Sequence, residues 1–308
     1  MNRQIIALAI LLLMQSALVA LFYWPQTRSA DTQQNETLLS FDPDTIDEIY
    51  ITDDQDNEAV LLNLSGQWLL PDLGGIPADP QMVSELLTAI NHRTAGWPIA
   101  TTNASRQRFQ VAAYQFQRRL TLIGSGELLG SIYLGTSPGF RKVHARNDAR
   151  DEIYSIPFNN YDAPAQAQAW LDKALLQTPA PERISSGDYT ITLRGEKWFS
   201  SQGGAADERE LAALLLGLRS LQVDGIADAS AQRSLAIAAP DLALDIARAD
   251  TSQQLEFFTL GEQHFVRSNR YKYFFALSAY DFDRLVTIDA SALNTALAPE
   301  KMTDVTKQ

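Results

Sequence analysis

The chain has 308 residues, a formal net charge of −12 and no cysteine. An acidic balance argues against a nucleic-acid partner, which needs a basic footprint. The missing thiols exclude disulfides, thiolate metal sites and cysteine-linked acylation, and the length leaves room for two domains of ordinary size.

Ile5 to Trp24 carries no charged residue. At about 1.5 Å per residue it is long enough to cross the roughly 30 Å core of a bilayer. Arg3 precedes it, Tyr23 and Trp24 close it and Pro25 follows, so the pattern predicts a retained single-pass anchor with residues 1–24 as anchor and short cytoplasmic N-terminus. Arg28 stands where a cleavage site would need a small residue. Residues 25–38 are polar and aperiodic and read as a flexible linker, as residues 298–308 read as a C-terminal tail.

A first module is expected over residues 39–177. Ile46, Ile49 and Ile51 suggest a strand, Asp53 to Glu58 a polar turn, and Ala59 to Leu64 and Gln67 to Leu70 the returning strands. Asp79 followed by Pro80 marks a helix start, after which Met82, Val83, Leu86, Leu87 and Ile90 share one face. Strand patterns resume at Leu120 and Leu122, Leu128 to Leu134, Val143 to Arg146 and Ile153 to Ile156, predicting a second antiparallel set. Tyr161 to Leu176 predicts a closing helix carrying Trp170, Leu171 and Leu175, and Thr178 to Glu182 a linker.

A second module, residues 184–297, repeats the plan. Tyr189 to Leu193 and Lys197 to Ser200 read as strands, and Asp207 as the cap of a helix with Leu211, Leu214, Leu215, Leu218 and Leu221 in a stripe. Gly66, Trp68 and Asp79 return as Gly195, Trp198 and Asp207; Gln107-Arg108 as Gln232-Arg233; Leu134-Gly135 as Leu260-Gly261; Arg146 and Tyr154 as Arg267 and Phe274. The expected fold is therefore α+β: a single N-terminal transmembrane helix followed by two tandem, duplicated modules, each of antiparallel sheets with packed helices.

The Leu39 to Pro43 entry, Gly66-x-Trp68, Pro77-Ala78-Asp79, Leu134-Gly135, Val143-x-Ala145-Arg146 and Ile153-Tyr154 together resemble the bacterial domain-of-unknown-function family 4340. The resemblance implies a single-pass envelope protein of the inner membrane with its bulk periplasmic or otherwise extracytoplasmic, often encoded beside ABC exporters of the gliding-motility type. It supplies no catalytic residues.

Candidate chemistry is sparse. Gly135-Thr-Ser137-Pro-Gly139 fits the spacing of a hydrolase nucleophile elbow, but Pro138 has no N–H for an oxyanion hole and a strand pattern follows where a helix is needed. Gly124, Gly126 and Gly130 have the wrong spacing for a dinucleotide loop and read as a hairpin turn. His92, His144 and His264 lack paired-ligand spacing, and Asp53, Asp54, Asp56 and Glu58 lack the glycine and distal glutamate of a calcium loop. No catalytic, cofactor or metal residue is assigned.

Arg141, Lys142 and Arg146, with Arg267, Arg270 and Lys272 in the second module, form a local excess of positive charge. They are either edge-strand charges that block self-pairing or contacts for a ligand or partner. The expected function is a non-enzymatic accessory or docking subunit of an ABC-type exporter complex, with a polytopic permease as partner, lipid contacted through residues 5–24, and no nucleic acid. The alternatives are a binding module for a polyanion or polysaccharide and, last, a hydrolase.

Overall fold

The computed structural model describes residues 12, 14–16, 38–91, 97–249 and 251–296. The chain divides into two compact units, Met1–Trp170 and Leu171–Gln308.

The first unit opens on an antiparallel meander of β1 (Ile46–Asp53), β2 (Glu58–Leu64) and β3 (Gln67–Leu70). Ile46, Ile49 and Ile51 of β1 are all buried. The three-residue step between the first two breaks the strand period of two, and an irregularity between Ile46 and Glu48 resets the phase. After β4 (Ile76–Pro77) comes α1 (Pro80–Ile90), capped by the Asp79 carboxylate, which accepts the N–H groups of Gln81 at 2.9 Å and Met82 at 3.2 Å. Its buried face, Val83, Leu86, Leu87 and Ile90, joins Ile49, Leu61, Leu120, Leu122 and Trp170 in one core. Then follow α2 (Asn103–Arg108), the small hairpin β5 (Val111–Ala112) and β6 (Gln115–Phe116), and a second meander of β7 (Arg118–Gly124), β8 (Glu127–Leu134), β9 (Val143–Asn147) and β10 (Tyr154–Ile156). Because β7 pairs with β1, the two strand sets are one eight-stranded sheet, β10-β9-β8-β7-β1-β2-β3-β4.

The second unit contains β11 (Arg183–Ser185), β12 (Thr190–Arg194), β13 (Lys197–Ser200), α3 (Glu208–Ser220), β14 (Val223–Ile226), α4 (Ala229–Leu235), β15 (Leu242–Arg248), β16 (Thr251–Leu260), β17 (Gln263–Ser268), β18 (Phe274–Leu277), α5 (Ala279–Val286) and α6 (Ala290–Leu293). Its sheet runs β13-β12-β11-β15-β16-β17-β18-β14. The meanders meet as in the first unit, first strand against first strand. Small details recur: the Ala78 N–H donates to the Trp68 carbonyl at 2.9 Å and the Ala206 N–H to the Trp198 carbonyl at 3.2 Å. At the far edge β14 lies on β18, where the first unit has a single bridge from Ala100 to Ile153.

Several expectations are corrected. The molecule is dominated by antiparallel sheets, two of eight strands and one of two, with few and short helices among the described residues, so the α+β assignment overstates the helical share. No helix among the described residues is long and apolar enough to cross a membrane. Of residues 5–24 only Leu12, Met14, Gln15 and Ser16 are described, as exposed helical residues, and the remainder lies outside the described residues. A span requires a continuous apolar helix of about 20 residues, and none stands among the described residues, so the transmembrane, single-pass assignment is withdrawn. The closing helix over Tyr161 to Leu176 is absent as well. Short 3-10 turns at Asn160–Asp162 and Ala167–Trp170 stand in its place, with Pro164 between them lacking the N–H that a helix needs.

A cationic, aromatic-rimmed cleft in the first unit

Strand β9 positions the site because both of its faces are covered and all five of its residues are buried. Val143 and Ala145 enter the main core. The alternate residues, His144 and Arg146, meet the β5–β6 side instead. His144 stacks on Phe109 at 4.1 Å between ring centroids and its Nδ1 lies 2.9 Å from the Thr136 hydroxyl. Burial, with a smaller contribution from the positive charge of Arg108, holds its pKa below the ordinary histidine value against an opposing hydrogen bond to the Thr136 backbone. Arg146 is only 4% exposed. Its Nε donates to the Val111 carbonyl at 2.8 Å, its Nη1 to those of Asn147 at 2.9 Å and Arg150 at 3.0 Å, and the guanidinium lies over the Tyr133 ring.

The loop from Gly135 to Lys142, which enters β9, is fixed at both ends. A Cβ on Gly135 would sit 1.9 Å from the Phe109 carbonyl oxygen, so only glycine fits there. Ser137 Oγ lies 2.7 Å from the carbonyls of both Gly139 and Lys142, tying the turn to itself. Arg141 adopts φ +50° at the tip. Beside this loop lies an open cleft of about 800 Å³, in the size range of small-molecule sites.

The cleft is lined by Arg118, Arg141 and Lys142 against one carboxylate, Asp54. Phe140 and Tyr161 rim it at 91% and 85% exposure, with the Arg141 guanidinium 5.9 Å from the Phe140 ring centroid. Arg118 uses Nε on the Ala163 carbonyl at 3.0 Å and Nη1 on that of Gln117 at 2.6 Å. Asn160 donates through Nδ2 to Gln117 Oε1 at 2.7 Å and to the Gly135 carbonyl at 3.0 Å, while its buried Oδ1 has no partner among the described residues. The arrangement offers spaced positive charge, amides and two open aromatic faces.

The six cations singled out in the sequence do not form one repeated feature. Arg146 and Arg267 occupy the same register position, opposite Tyr133 on β8 and Glu256 on β16. Arg146 is consumed by carbonyls, and Arg267 by an ion pair with Glu256 and by the rings of Phe258 and Phe274. Arg141 and Lys142 precede β9, whereas Arg270 and Lys272 follow β17, so these pairs sit at opposite ends of equivalent strands. Arg267 and Lys272 line a hollow of about 280 Å³. The same register sets Tyr154 against Phe275 and Leu134 against Phe257, which corrects the sequence matches to Phe274 and Leu260.

The other candidates are occupied locally. Asp53 accepts the N–H groups of Gln55 and Asn57 at 2.9 Å and the Asn57 side chain, Glu58 accepts from Thr52, and Asp56 takes φ +58° in the turn. Ser125 and Gly126 form the two-residue hairpin between β7 and β8. His264 stacks on Phe282 at 4.2 Å; His92 lies outside the described residues. Sequence reading missed Arg118, Phe140, Asn160 and Tyr161. The available signal was Phe140 itself, a large apolar residue in a Ser-Pro-Gly turn where solvent exposure is expected.

Fold and site together define an antiparallel-sheet protein with an open, cation-lined cleft in its first unit. The family model described as a domain of unknown function (DUF4340) matches residues 68–240, more than half of the chain, and the protein belongs to that family. No curated protein and no solved structure matches it.

Proposed function

We propose that the protein is a non-catalytic, extracytoplasmic accessory subunit of an ABC-exporter complex and that it acts by binding at the first-unit cleft. The observation that carries the binding role is the composition of that cleft: three cations and two exposed rings around an open volume, with Ser137 spending its hydroxyl on its own turn. Such groups hold a ligand and do not activate one. The exporter setting is supported by the family resemblance, and the cysteine-free composition suits an extracytoplasmic protein held by its core.

The test is affinity purification of the full chain from detergent-solubilised envelopes of its native host. A polytopic permease is expected to co-purify with the wild-type protein and with a variant carrying Phe140→Ala and Arg141→Ala. Its absence from the wild-type eluate rejects the subunit assignment.

A further inference from the structure

We infer that the first-unit cleft is a binding site for an acidic polysaccharide, a chain of pyranose units carrying repeated carboxylates; this rests on the reading that the protein acts by binding. The first ground is the loop that makes the cleft. Beyond the equivalent pairs Leu134–Ala145 and Phe257–Val266, the second unit continues as a paired hairpin to Gly261 and Glu262, whereas the first opens into an irregular loop over residues 135–142. The same stretch of the strand plan is thus a regular hairpin in one unit and, in the other, an open loop held in place by Gly135 and Ser137.

The second ground is what the cleft presents. Phe140 at 91% and Tyr161 at 85% exposure have no structural use for their rings in the fold, and desolvating rings that large needs an apolar partner. The C–H face of a pyranose is such a partner, and its hydroxyls suit the polar side chains that line the cleft beside the rings, Gln117 and Asn159 among them. The cations come from separate elements, Arg118 from β7 and Arg141 with Lys142 from the loop. A compact phosphate calls for converging donors such as a nest of backbone N–H groups. Cations on separate elements match charge repeated along a polymer, and the overall −12 makes them a local exception in an acidic protein.

The experiment is calorimetric titration of the full chain with sodium polygalacturonate, with neutral dextran and poly-glutamate as comparison polymers. Polygalacturonate is expected to bind, more weakly as salt rises, while dextran and poly-glutamate do not. Phe140→Ala and Tyr161→Ala are each expected to weaken binding about tenfold, the usual loss of an aromatic anchor, and Arg141→Ala with Lys142→Ala to remove most of the salt dependence. Unchanged thermal midpoints of these surface variants show that folding is intact. No binding of polygalacturonate, equal binding of poly-glutamate, or undiminished binding by the variants overturns the inference. The outcomes separate from those of the functional proposal: a permease that co-purifies with a protein blind to the polymer leaves the subunit reading standing, and shortening of the polymer during incubation overturns its non-catalytic part.

Discussion

Arg146 and Arg267 hold one register position in two sheets yet live in different surroundings. Arg146 is enclosed and satisfies backbone carbonyls of the β5–β6 hairpin and the turn after β9, while Arg267 pairs with Glu256 in partial contact with water. Removing Arg146 leaves buried acceptors without donors, at about 1–3 kcal/mol for each group left unsatisfied; removing Arg267 loses a pair of the kind worth up to about 1 kcal/mol. Urea unfolding is therefore expected to show Arg146→Ala costing several times more stability than Arg267→Ala, and equal losses would contradict the burial argument. His144 adds a pH dependence. Its folded pKa lies below the ordinary 6.5, chiefly because burial disfavours the charged ring. Below about pH 6.5 the unfolded chain takes up a proton that the folded chain refuses, so this contribution is complete above that pH and declines on acidification toward the folded pKa. His144→Phe, which keeps a ring against Phe109, is expected to flatten the stability slope in that window. Asp53 acts in a separate one: burial raises its pKa, but the hydrogen bonds of its turn outweigh this and hold it below 3.8, so its contribution is lost only at lower pH.

Helix caps and hairpins were legible because their causes are local. Asp79 and Asp207 each accept two N–H groups of the first helical turn, as Asp-Pro and Ala-Asp at the head of an apolar stripe implied. Asp79→Ala is expected to lower stability by about 0.5–2 kcal/mol in thermal or denaturant unfolding; no change would mean that the cap is redundant. The failures have causes that a local pattern does not record. Pairing of β1 with β7 joins Ile46 to Gly124 across most of the unit, with no signal in either segment alone. Tyr161 to Leu176 has helical composition, but Pro164 interrupts it and Trp170, fully buried, donates its indole N–H to the Pro164 carbonyl at 2.8 Å, which fixes an irregular path. The cationic stretches were legible as charge and illegible as geometry, because the strand end that bears each one depends on register.

Two units with one strand order divide the labour unequally. The second keeps a tight β16–β17 turn and buries its rings, as with Phe257, Phe258 and Phe275. The first carries the extra hairpin β5–β6, the 135–142 loop and the cleft. Gly135 is the point where this loop threads beneath the Phe109 and Gln110 carbonyls, so Gly135→Ala is expected to cost about 1–3 kcal/mol by overpacking and to displace the loop from the cleft. The account as a whole places binding at that loop, and photo-crosslinking tests it most directly. A benzophenone side chain is placed at Phe140 of the full chain in its native host and, for comparison, at Ile237 of the second unit, which is equally exposed at 91%. The account predicts a heterogeneous high-mass adduct from position 140 that stains for acidic polysaccharide and none from position 237; an adduct from position 237 with none from position 140 would contradict it.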